Sequence, residues 1–132
     1  MLEHIRNKDR LVQVLDYGGL RFGTIRPTDI DAVIEYKNKA YVIIEAKKSG
    51  AELPYGQRLC LERMANDLSK DKKKEALIVV TEHDAHDSKD VIGLAECAVR
   101  EIYFSSERKW RQPKKPMDVR EICSLFLGRF QI

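Results

Sequence analysis

Two neighbouring stretches, Asp29 to Tyr36 and Ala40 to Lys47, alternate apolar and polar residues with the period of two expected of a strand. Lys37-Asn38-Lys39 separates them, so a β-hairpin is predicted. Upstream, Leu2, Ile5, Leu11, Val12 and Leu15 lie on a loosely helical stripe over residues 2–16, which Gly18-Gly19 ends, and residues 20–26 read as a short strand. Ser49 to Pro54 breaks the pattern, and Pro54 suits the first turn of a helix running to about Lys70, with Leu61, Met64, Ala65 and Leu68 as its apolar stripe. Ala76 to Thr81 is a continuous apolar run, the mark of a strand buried on both faces. Val99 to Ser105 and Lys109 to Gln112 predict a second hairpin. Asp118 caps a last helix, 119–129, with Val119, Ile122, Cys123, Phe126 and Leu127 turned inward. The order helix, hairpin, helix, buried strand, hairpin, helix predicts an α/β sandwich around a central mixed β-sheet.

Composition narrows this picture modestly. A length of 132 residues fits one domain, and 43% hydrophobic with 34% charged residues supports a core and argues against disorder. The formal charge of +3 permits nucleic-acid binding without demanding it. Three cysteines, Cys60, Cys97 and Cys123, form no Cys-x-x-Cys pair, which argues against a zinc ribbon or dithiol redox chemistry and for reduced, mostly buried thiols. No stretch reaches the roughly 18 apolar residues of a membrane span, and the charged N-terminus lacks a signal-peptide core. A soluble cytoplasmic protein is expected, with no membrane partner.

The first hairpin carries the candidate chemistry. Centred on Asn38, it sets Asp31 opposite Glu45 and Asp29 opposite Lys47, all four projecting from one face. The other face takes Ile30, Ala32, Ile34, Val42, Ile44 and Ala46 and is apolar throughout. Two carboxylates side by side destabilise each other unless a cation or a proton lies between them. A hard cation such as Mg²⁺ takes one or two carboxylates plus water and phosphate, so the Asp31–Glu45 pair suits an ion held against a phosphodiester. Lys47, on the same face, would orient a water or stabilise charge on the phosphate. The bland alternative is a solvated sheet face with cross-strand ion pairs.

The stretch Arg26-Pro27-Thr28-Asp29-Ile30-Asp31, followed by Ile43-Ile44-Glu45-Ala46-Lys47, resembles the signature of the PD-(D/E)XK nuclease superfamily, in which an Asp opens a strand and the hairpin return carries Glu-x-Lys. The resemblance covers about residues 1 to 81. It implies a restriction-endonuclease-like α/β/α sandwich, like that of small phage-type or Holliday-junction-resolvase-like nuclease domains, and metal-dependent hydrolysis of DNA. By the resemblance Asp31 and Glu45 are ligands of Mg²⁺ or Mn²⁺, the Ala46 backbone carbonyl is a further ligand, and Lys47 is the catalytic lysine. Thr28 separates Pro27 from Asp29, so Asp29 competes with Asp31 as primary ligand; Asp31 is preferred because it pairs with Glu45. Gln57 resembles a glutamine that several branches place on the following helix, although the tyrosine one branch has four residues later is Leu61 here. Glu3 matches an extra ligand that relatives supply from a first helix.

Other features carry less. Lys48, and the cluster Arg108, Lys109, Trp110 and Arg111, are candidate DNA contacts, with Trp110 available to stack on a base. Lys70 to Lys74 reads first as a solvated charged loop. So does Glu82-His83-Asp84-Ala85-His86-Asp87, whose imidazoles and carboxylates would otherwise suit a transition metal. Met64, Phe126 and Phe130 are expected in the core or at a homodimer contact. The alternative function on the same fold is a non-catalytic DNA-binding or accessory protein.

Overall fold

The computed structural model describes residues 15–85 and 91–130. The expected first helix, with Glu3, and the residues His86 and Asp87 lie outside them. Strand β1 is Ala32–Tyr36 and β2 is Ala40–Lys48; helix α1, Tyr55–Leu68, leads to β3, Glu75–His83. Strand β4, Ala98–Phe104, and the short β5, Lys109–Arg111, precede helix α2, Val119–Gly128. One mixed sheet orders the strands β1-β2-β3-β4-β5, with β2 and β3 parallel and the other neighbours antiparallel. Helix α1 is the crossover that a parallel pair requires.

The predicted hairpin register is realised. Ala32 pairs with Ile44 and Tyr36 with Ala40, which places the centre of the turn at Asn38. Lys37 and Asn38 both take left-handed backbone, with φ of 47° and 56°, as a tight hairpin turn with matched twist requires. Two details differ from expectation. The strand starts at Ala32, so Asp29 precedes it and has no partner in the ladder. Ile30 consequently packs on the α1 side of the sheet rather than beside Ala32.

Each face of the sheet has its own core. Ala40, Val42, Ile44, Leu77, Val79 and Ile102 meet Val119, Ile122, Cys123 and Phe126 of α2. On the other face Ile43, Ala76, Ile78, Val80 and Tyr103 meet Leu61 and Ala65 of α1. Burial on both faces is why β3 reads as an apolar run and why Val42-Ile43-Ile44 of β2 departs from the alternation expected there, while β1, at the sheet edge, leaves Val33 53% exposed. Met64 sits on the flank of α1 and is exposed, against expectation, because only the narrow Leu61–Ala65–Leu68 line reaches the sheet. Instead of the strand expected over residues 20–26, Leu20 ends a short 3-10 turn, Gly18–Leu20, and a tight turn around Gly23, at φ 66°, is bridged between Phe22 and Ile25. No helix among the described residues is long and apolar enough to cross a membrane.

Asp118 caps α2 reciprocally: its Oδ1 accepts from the Glu121 amide at 2.8 Å, and its own amide donates to Glu121 Oε1 at 3.2 Å. Replacing Asp118 by Ala is expected to cost about 1 kcal/mol, read as a lower urea midpoint at unchanged slope.

Candidate functional site

The reactive corner lies at the C-terminal end of β2. Chain alternation turns Ile43 and Glu45 to the same face, so Glu45 is carried under α1 beyond the apolar layer that Ile43 begins. Only 2% of Glu45 is exposed, an unusual position for a carboxylate. Its Oε1 lies 3.3 Å from the Lys47 ammonium, and its buried Oε2 has no hydrogen-bond partner. Asp31 sits one residue ahead of β1, in line with Glu45, and its Oδ2 accepts the Ala46 amide at 2.7 Å. In a strand the N–H and C=O of one residue point to the same side. The Ala46 carbonyl therefore faces Asp31's flank, where β1 has already ended.

Gln57, in the first turn of α1, reaches the same corner, with Nε2 3.4 Å from the Asp29 carbonyl and its amide close enough to act on Glu45. Burial, and then the charge of Asp31, push the Glu45 carboxyl above its ordinary range; Gln57 and Lys47 oppose this and do not cancel it. The stability consequence has a definite sign. Below about pH 4.5 the acid is protonated folded and unfolded alike. Between 4.5 and the raised folded value only the unfolded chain ionises, so stability drains away as pH rises. Glu45→Gln is expected to melt above wild type at neutral pH in EDTA and alongside it near about pH 3.5, in scanning calorimetry.

The structure thus brings Asp31, Glu45, Lys47, the Ala46 backbone and Gln57 together. Asp29 contributes its carbonyl to Gln57, while its side chain is not across from Lys47. Lys48 ends β2 with an exposed side chain beside the corner. The basic cluster falls elsewhere. β4 runs antiparallel to β3, so the turn holding Arg108 sits at the opposite end of the sheet, with Lys109 and Arg111 on the far edge strand. Trp110 is not free to stack on a base. Tyr103 lies 5.2 Å from its ring centroid, Arg58 sits 4.4 Å over its face, and its Nε1 donates to Glu62. Arg111 covers the Phe104 ring and pairs with Glu107.

Arg100 was invisible in the sequence. Its guanidinium bonds the Ala51 carbonyl at 2.6 Å and pairs with Glu82 at 3.0 Å, tying the segment after Lys48 to β3 and β4. A single Arg inside a strand gives no signal of such a role.

Mg²⁺ fits this corner by donor chemistry: two carboxylates and a carbonyl are hard oxygens, and the partnerless Glu45 Oε2 is a buried acceptor lacking a donor. No group of three or more His, Cys, Asp and Glu suited to a metal gathers among the described residues, which leaves the two-carboxylate arrangement. His83, at the end of β3, accepts the Ala85 amide at 3.2 Å and joins no such group. Of the cysteines, Cys123 is buried and Cys60 and Cys97 are half-buried, all three free; burial pushes the Cys97 and Cys123 thiols up, which keeps them protonated and unreactive. No family model, curated protein or solved structure matches this chain.

Proposed function

We propose that this chain is a metal-dependent DNA nuclease of the PD-(D/E)XK type, with the restriction-endonuclease-like sandwich that type implies. The observation that carries the reading is the buried Glu45 carboxyl, aligned with Asp31, in contact with Lys47 and holding one oxygen without a partner. Such a carboxylate costs stability in a metal-free fold, and a retained cost of this kind marks a site. Asp31, Glu45 and the Ala46 carbonyl would hold Mg²⁺ or Mn²⁺, which when bound supplies charge stabilisation at a phosphoryl oxygen and a lowered pKa for water. Lys47 keeps its ammonium on the same face, beside the point where negative charge develops in phosphodiester hydrolysis. Gln57 donates to the Asp29 carbonyl and so ties the backbone leading to Asp31 to the first turn of α1 beside Glu45.

Cutting both strands of a duplex needs two such corners, which a homodimer supplies; light scattering that reports a monomer restricts the activity to one strand. The direct test pairs Mn²⁺ titration calorimetry with cleavage of duplex, flapped and branched DNA in Mg²⁺ and in EDTA. Saturable Mn²⁺ binding that Glu45→Ala abolishes, together with Mg²⁺-dependent cleavage, is the expected result. Strong, salt-dependent DNA binding that ignores Mg²⁺ and leaves every substrate intact would replace the nuclease with a non-catalytic DNA-binding protein.

A further inference from the structure

A cleft of about 860 Å³ opens directly beside the reactive corner, between the segment Thr24–Asp29 and the first turns of α1. Asp29 and Gln57 belong both to its wall and to the corner itself, so the two are continuous. Its wall carries two guanidinium groups, Arg26 from the segment and Arg63 from α1, both on exposed residues. Neither takes part in a salt bridge among the described residues, in contrast to Arg58, Arg100, Arg111 and Arg129, which are all paired with carboxylates. Asp29 is the one acid in the wall among the described residues. Tyr17 adds an aromatic ring that is 40% exposed, and Phe22 stands 65% exposed on the adjoining turn.

Unpaired guanidiniums in a concave wall are the usual phosphate-binding device, and exposed aromatic rings beside them offer stacking faces to bases. The volume matches a small-ligand cleft, room for a few nucleotides of one strand and not for a duplex with its two backbones. We infer that this cleft is a single-stranded DNA subsite: Arg26 and Arg63 hold backbone phosphates next to the scissile bond, and Tyr17 stacks on a base. Resting on the nuclease reading, it names the substrate class as DNA that is unpaired on one side of the cut, such as a flap or a splayed end. Arg108 lies at the opposite end of the sheet from this cleft, and Lys109 and Arg111 lie on the edge strand farthest from β1.

The test is fluorescence anisotropy with a labelled oligo-dT of about twelve nucleotides, in EDTA so that no cleavage intervenes. Wild type is expected to bind in a salt-dependent manner. Arg26→Ala/Arg63→Ala is expected to bind on the order of tenfold more weakly, with the slope of log affinity against log salt reduced by about 1.4, the value for two single-strand phosphate contacts. Arg26→Lys/Arg63→Lys should keep most of that slope, and a blunt duplex should be bound equally by wild type and the Ala variant. Wild-type affinity retained by the Ala variant, or no binding of oligo-dT by wild type, overturns the subsite. Glu45→Gln separates the two readings. Loss of cleavage with oligo-dT binding intact supports both, whereas cleavage that survives Glu45→Gln removes the nuclease reading and leaves the anisotropy result to judge the cleft alone.

Discussion

Lys47→Ala is expected to lower Mg²⁺-dependent DNA cleavage by roughly 10²- to 10³-fold, the range found when one preorganised charge-stabilising group is removed from a site. The ammonium sits 3.3 Å from Glu45 on a strand that stays paired with β3 at Lys47 and Lys48, so its position is set by the sheet rather than by a loop. Lys47 is 21% exposed but the Glu45 side chain only 3%, so Lys47→Ala also leaves a buried carboxylate without its cation and lowers stability at neutral pH. The rate is therefore read in single turnover on folded protein, where a fall at full native population distinguishes a chemical role from a structural one. Lys47→Arg keeps the charge but changes its shape and reach, and is expected to rescue only part of the rate. A Lys47→Ala protein that cleaves at the wild-type rate would remove Lys47 from the chemistry.

The second large effect is on folding. Phe126→Ala is expected to destabilise the protein by about 3–5 kcal/mol, because the ring is 1% exposed and the cavity left behind relaxes only in part. Phe104 and Phe130 stack at 6.0 Å and 5.5 Å from it, so their contacts are lost with it. Against a total stability of roughly 5–15 kcal/mol for a domain, such a loss brings the midpoint of urea unfolding close to zero denaturant or well below the wild-type value. Leu125, its neighbour in α2, points outward at 61% exposure, and Leu125→Ala should stay within about 0.5 kcal/mol. Equal effects at the two positions would mean that α2 does not pack on the sheet by this face.

The two predictions probe opposite faces of the sheet, and they were legible to different degrees. Phe126 was readable because α2 is locally consistent: an Asp118–Glu121 capping box, then apolar residues at helical spacing. The Asp31–Glu45 alignment was readable because a turn of three residues sets hairpin register, and in a strand register alone decides which side chains are neighbours. Ala76 to Thr81 declared a doubly buried strand by its unbroken apolar run.

Other features needed the tertiary structure because they join residues far apart in the chain. Trp110 looked available for DNA until the β4–β5 hairpin folded it against Arg58 and Glu62, some 48 residues away. Gln57 was one polar residue among many in a helix turn until α1 crossed the sheet and brought it to Glu45 and Asp29. The cleft of Arg26 and Arg63 has no sequence signature, since its two charges come from separate segments that meet only when α1 docks. Local periodicity and turn length thus determined the elements, the hairpin register and the carboxylate pair. Which face was covered, which aromatic ring was already occupied and which arginines remained unpaired was decided by long-range packing, because a period of two or of 3.6 identifies a face and not what will be placed against it.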